Sequence, residues 1–458
     1  MKDRFGFDRS KVPGTFFWKR PQISRRVFFR HSASAVTGYY LLPTRPMETI
    51  AKAAATPIGT AKKCIFILLA GAPSHVDTFD LKEGPWLPAS FNPTSYGDLR
   101  FPQGLMPKLA DQLGSLAFVR SARSWAAVHG LSQTWYQIGR NPISALAKIA
   151  PHIGSVVSIE KRVGDSDKTL PAFISLNAGG STAGAGYLPP ENEPFYVNPN
   201  GGGLGNTTHR DGTTRFDSRY NLLLDVDYDS RNGSPIGPAI DEMSAFSLSA
   251  RKLMYNPQVD AIFNFDQNER NRYGNTTFGN ACITARNLLC ANNGAHFVQI
   301  TFGSWDHHTN IYAPNAGLNV IGKQFDSGLS TLLTDLRNDG TLDETLIVAL
   351  GEFGRTIGDV NSGAGRDHFL QQSIVFAGAK IKGGRAIGST DDRGSQTADP
   401  GWARDRDVRP EDVEATIYSA LGIDWTTTRH DDPLGRGFDY VPFAAEQDLY
   451  GPINELWA

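Results

Sequence analysis

The chain has 458 residues, 40% hydrophobic and 20% charged, a composition typical of a soluble globular protein with a sizeable core. A net charge of −2 offers no electrostatic grip on a polyanion, so nucleic acid is excluded as a general partner. Three cysteines, Cys64, Cys282 and Cys290, cannot build a disulfide scaffold, and without a CxxC pair there is no cysteine zinc knuckle.

The first segment with a reading is "SRRVFFR" at 24–30, followed by the weakly apolar "SASAVTGYYLLP" and the alanine-rich "AKAAATP". The pair Arg25–Arg26 before a short apolar run and a small-residue cleavage site resembles a twin-arginine (Tat) export signal. The apolar run is too short to span a bilayer, which takes roughly 20 residues. Residues 1–55 are therefore expected to be a signal, cleaved after Ala53 or Ala55. The expected partner is the Tat machinery, and the expected location of the mature chain, 56–458, is periplasmic or extracellular. No transmembrane segment is expected in that mature chain.

"KKCIFILLAG" (62–71) is a near-continuous apolar run, the pattern of a strand buried on both faces of a parallel sheet. Similar runs follow at 115–122, 170–176, 295–302, 344–351 and 373–379. Helical stripes lie among them. Phe278, Cys282, Ala285 and Leu289 share one face, and Leu318, Ile321, Phe325, Leu332 and Leu336 form another, closed by "NDG" at 338–340. Pro410 opens a third helix, with Val413, Ile417 and Leu421 on it, and Gly422 stops it. Strands alternating with helices predict a doubly wound, mostly parallel α/β sheet with helices on both faces. The Gly/Pro-rich region 178–235 is expected to form long surface loops.

In open α/β sheets ligands bind beyond the carboxyl ends of the strands, so the residues after each apolar run are the candidates. After the first run come His75, Asp77 and Asp80; after the second, His129; after 295–302, "GSWDHHTN" with Asp306, His307 and His308. After 344–351 comes "EFGRT" with Glu352 and Arg355, then "GRDH" with Arg366, Asp367 and His368. Half of the ten histidines fall in these segments beside carboxylates. That coincidence favours a divalent metal, identity open, over isolated Asp–His pairs or helix caps.

The blocks "GAPSHVDTFD", "GSWDHHTN", "ALGEFGRT" and "GRDHF" resemble those of the domain of unknown function 1501 family of Tat-exported bacterial proteins, in order and from about 60 to 455. The resemblance implies an alkaline-phosphatase/sulfatase-like fold and hydrolysis of phosphate or sulfate esters. It also implies that Asp306, His308 and His368 hold one metal, with His308 on the family's histidine and His307 at its threonine. Asp367 joins these as a further ligand. For a second metal, Glu352 and Phe353 stand where an Asp–His pair is usual, and Asp77 is the carboxylate left to loop back.

His129 stands where the sulfatase nucleophile would, and Ser121, Ser124 and Ser132 are the nearby hydroxyls. Water activated by the metal is then the expected nucleophile, with His129 or Glu352 taking a proton and Arg355 or Arg366 steadying charge. The expected substrate is a small anionic or sugar-linked ester. The rivals are a non-catalytic metal-binding scaffold of the same fold and a sugar-binding surface protein.

Overall fold

Eight strands form the central sheet of the computed structural model, which describes residues 55–162, 168–178, 182–233 and 237–458. They are β1 (Lys63–Leu68), β2 (Leu116–Arg123), β3 (Phe173–Leu176), β4 (Phe195–Val197), β5 (Phe297–Thr301), β6 (Thr345–Leu350), β7 (Gln371–Gly378) and β8 (Arg385–Ile387). Their order across the sheet is β8-β2-β7-β6-β1-β5-β3-β4. Every pairing is parallel except those of β7, which runs against both β2 and β6. The export signal expected at 1–55 lies outside the described residues except for Ala55.

Each of the six apolar runs holds one of these strands. β1 shows why they read as continuous rather than alternating. Ile65 and Ile67 enter one core with helices α5 (Thr277–Cys290) and α6 (Leu318–Asn338). Cys64, Phe66 and Leu68 enter another core with helices α2 (Ile153–Lys161) and α7 (Pro410–Ala420). With both faces covered, every β1 position is buried and every one but Lys63 is apolar. The helix stops expected from sequence are also present: Gly340 and Gly422 have φ of +75° and +74° just past α6 and α7.

The region 178–235 departs from expectation. It supplies β4 at one edge of the sheet and helix α3 (Gly212–Val226), and helix α4 (Pro238–Leu253) follows it. β4 is three residues long, too short to show a period. α3 buries none of its side chains, so it carries no apolar stripe for a sequence reading to detect. Residues 179–181 and 234–236 of this region lie outside the described residues. Among the described residues, no helix is long and apolar enough to cross a membrane.

Candidate metal centre

The carboxyl ends of β1, β2, β5 and β6 lie along one edge of the sheet. Because β7 is reversed, its amino end reaches the same edge. The segment leading into β7 thus carries Asp367 and His368 to the ends of the other strands, and β2 delivers His129 at the first position of helix α1 (His129–Ile138). His368 is fixed by a two-residue antiparallel pairing with Arg355, just after β6.

Backbone proximity makes the convergence possible. Gly71, at φ +108°, lies so near the β5 loop that a Cβ there would stand 2.5 Å from Asp306 N. A Cβ on Gly365 would collide with the His308 backbone. Trp305, 1% exposed and edge-on to Phe302 and Phe325, anchors the loop that bears Asp306 and His308.

His129, Asp306, His308 and His368 each bring one ligand atom into a group whose members lie within 4.8 Å of one another. Each histidine has its Nδ1 tied to an oxygen acceptor. His129 Nδ1 meets Glu352 Oε1 at 2.6 Å, His308 Nδ1 meets Asp367 Oδ1 at 2.8 Å, and His368 Nδ1 meets the Ala127 carbonyl at 2.9 Å. The acceptors on all three Nδ1 atoms place a proton on each, so in the neutral ring it is Nε2 that carries the lone pair a metal would take. Those Nε2 atoms converge. His308 Nε2 and His368 Nε2 are 2.9 Å apart, Asp306 Oδ1 is 3.1 Å from His308 Nε2, and Asp306 Oδ2 is 3.3 Å from His129 Nε2. Among the described residues the buried His129 Nε2 has no hydrogen-bond partner. Two Nε2 atoms this close must share a proton or face a cation; with a carboxylate beside them the donor set fits a metal, and histidines backed by carboxylates and a carbonyl are the usual support of one.

The charges around the group are set by the same contacts. Partial burial opposes ionisation of Asp306, but the hydrogen bond and charge of Arg355 outweigh it and hold the carboxyl below its ordinary value. The hydrogen bond to Glu352 raises His129 above the ordinary histidine value, against the effect of burial. Burial lowers His368. The hydrogen bonds from His308 and then Asn361 lower Asp367. The Asp306 and His308 side chains keep 44% and 43% of their surface exposed, so the centre is open to solvent.

The other candidates fall elsewhere. His307 lies outside the group. Asp77, expected as a ligand, is wholly buried and taken by Arg366 Nε at 2.7 Å and the Tyr312 hydroxyl at 2.8 Å. Arg366 is equally buried, bonded to Asp77 and to the carbonyls of Thr356 and Gly358, so it braces the loop before His368 and cannot reach a substrate. Asp367 orients His308 through Nδ1 instead of entering the group.

Glu352, expected as a proton carrier, is wholly buried and accepts from Gly71 N, Ala72 N, Gln133 Nε2 and His129 Nδ1, so its oxygens are occupied. His75 and Asp80 are buried and engaged with Gly394 O and with Thr390, Lys82 and Arg120. Gln133 and Asn361 were not anticipated. Gln133 follows His129 by four residues on one helix face, a spacing that could have flagged it. Asn361, which bonds Asp367 Oδ1 and His308 O, carries no such signal.

The family described as "Protein of unknown function (DUF1501)" matches residues 61–440, which include the whole sheet and every residue of the centre. Among solved structures, the chain is similar to a phosphonate monoester hydrolase from Silicibacter pomeroyi, at 11% identity over 86% of this chain and 76% of that one, with a TM-score of 0.39. A protein in the alkaline phosphatase superfamily from Vibrio parahaemolyticus matches at 11% identity over 82% and 71%, with a TM-score of 0.38. The alkaline phosphatase of the Antarctic bacterium TAB5 matches at 14% identity over 72% and 95%, with a TM-score of 0.34. No curated protein matches the chain.

Proposed function

The chain belongs to the DUF1501 family, and we propose that it is an exported metal-dependent hydrolase of phosphate or sulfate esters in which water attacks directly. The observation that carries the reading is the 2.9 Å approach of two histidine Nε2 atoms whose Nδ1 atoms are both held by acceptors. Three imidazoles and one carboxylate suit a borderline divalent ion such as Zn²⁺ or Co²⁺ better than Ca²⁺ or Mg²⁺. When bound, such an ion supplies Lewis acidity toward the ester and lowers the pKa of water.

The chain's own groups support water as the nucleophile. The hydroxyls of Ser121, Ser124 and Ser132 donate to the carbonyls of Pro400, Glu352 and Ala126, so none is free to attack. His129 has its Nε2 in the group and its Nδ1 on Glu352, which suits a ligand held in one orientation. Arg355, beside Asp306 at 2.6 Å, provides the fixed positive charge that an anionic ester needs. A small anionic or sugar-linked ester reaching the open side of the centre is the proposed substrate.

The same geometry also supports a second reading, a metal-binding scaffold without turnover, because Glu352 and His129 are both committed to each other and to the loop after β1. One experiment decides between the two. The purified protein is analysed for bound metal and assayed, with and without chelator, on phosphate monoesters, phosphate diesters and sulfate esters. Chelator-sensitive turnover supports the hydrolase. Bound metal without turnover on any of the esters supports the scaffold, and absence of metal removes both. The twin arginines and alanine-rich site at 24–55 support export through the Tat route to the periplasm or beyond.

A further inference from the structure

Beside the three-histidine group lies a second cradle made only of oxygens. It consists of the carbonyls of Gly71 and Ala72 at the end of β1, the carbonyl of Arg366, and Asp306 Oδ1. Carbonyl and carboxylate oxygens are the ligands that hard cations take. Here the Arg355 guanidinium fills the cradle, with 1% of its side chain exposed.

Four of its five N–H donors are spent on these oxygens. Nη2 bonds Gly71 O and Asp306 Oδ1, Nε bonds Ala72 O at 2.9 Å, and Nη1 bonds Arg366 O at 3.0 Å. The fifth, on Nη1, faces His308 Nε2 at 3.4 Å. Asp306 thus faces both the guanidinium and the histidine group: Oδ1 accepts from Arg355 and lies 3.1 Å from His308 Nε2, and Oδ2 lies 3.3 Å from His129 Nε2.

Resting on the metal-centre reading above, we infer that the centre takes a single divalent ion because Arg355 is its built-in second cation. A guanidinium carries a positive charge on a planar fork of donors that matches these acceptors. A second ion would have to expel a buried cation from the four oxygens it is bonded to, and leaving such a charge uncompensated is strongly unfavourable. The remaining Nη1–H is then the one donor this residue can offer to an anion at the centre.

The test is stoichiometric and needs no turnover. Chelated protein is titrated with Co²⁺, free ion is removed by gel filtration, and bound metal is counted by elemental analysis and by the low-temperature electron paramagnetic resonance of the ion. The wild type should saturate at one equivalent with the spectrum of an isolated ion. Arg355→Lys, which keeps the charge, should also bind one. Arg355→Ala, checked for folding by circular dichroism, should accept a second equivalent and show coupling between the two ions. Two equivalents in the wild type would overturn the inference, as would a folded Arg355→Ala that stays at one. Should Arg355→Ala not fold, the wild-type and Arg355→Lys counts decide alone, with two equivalents in either overturning it. A wild type that binds no metal would instead bring down the metal-centre reading on which this rests.

Discussion

His308 Nε2 and His368 Nε2 lie 2.9 Å apart, although 60 residues separate them in the chain. His308 reaches this point from the loop after β5, and His368 from the segment that enters the reversed β7. Their outer nitrogens are held by Asp367 and by the Ala127 carbonyl, so neither ring can turn away without breaking a hydrogen bond. Most of the expected behaviour of the site follows from this contact.

Removing a ligand should remove the metal. Alanine at His129, Asp306, His308 or His368 is expected to abolish stoichiometric metal binding, whereas His307→Ala and Asp80→Ala should keep it, since both lie outside the group. Elemental analysis of the six variants checks this, and equal metal in the His307 and His308 variants would sink the assignment.

The orienting carboxylates should act more weakly. Asp367→Asn and Glu352→Gln preserve size but weaken the support of His308 and His129. Loss of such a partner typically costs about 10–100-fold in metal affinity. Competition against a chelator of known affinity measures the change, and an unaltered affinity in both variants would contradict the roles given to these residues.

Asp77 should prove to be a residue of stability. Its carboxylate and the Arg366 guanidinium are both fully buried and bonded to each other. Asp77→Ala leaves that cation unpaired, and breaking a buried pair from one side costs about 3–5 kcal/mol. Urea unfolding should report the loss, while the folded fraction still binds metal. A variant of native stability that has lost its metal would restore Asp77 as a ligand.

His152 predicts a pH dependence away from the centre. Wholly buried, it has Nε2 on Gln299 Oε1 at 2.7 Å and accepts the Gly154 N–H at Nδ1 to cap helix α2, so only the neutral ring satisfies both contacts. Burial lowers its pKa to about 3 from the ordinary 6.5. Between those values the unfolded chain takes up a proton that the folded chain refuses. The contribution of His152 to stability is therefore complete above pH 6.5 and is lost as pH falls toward 3, by up to about 1.4 kcal/mol per pH unit. His152→Asn keeps a capping side chain and should flatten this part of the stability–pH curve; an unchanged slope would remove the claim.

Export is tested independently of the fold. Changing Arg25 and Arg26 together to lysine should leave the protein in the cytoplasm, as judged by fractionation. Normal export of that double variant would show that the pair is not the address.

The sequence alone determined the parts of this protein that depend on neighbours in the chain. The apolar runs of β1, β2, β3, β5, β6 and β7 and the stripes of α5, α6 and α7 were legible because a strand or helix buried against a core must repeat its apolar residues at that element's own period. Asp306, His308 and His368 were legible as candidates because they follow or precede such runs in blocks shared with a family. Elements that bury little, such as α3 and the three-residue β4, were not legible, since without burial there is no period to read. Only the tertiary structure decided the division of labour at the sheet edge. It paired Asp77 with Arg366, 289 residues away, and placed Glu352 behind His129 across 223 residues. It also turned β7 so that His368 meets His308. The sequence has the same kinds of residue whether a carboxylate becomes a ligand, a partner of a ligand or half of a buried ion pair. Which of these it becomes depends on the charge and hydrogen-bonding groups that a distant segment brings within about 3 Å, and no local pattern encodes that distance.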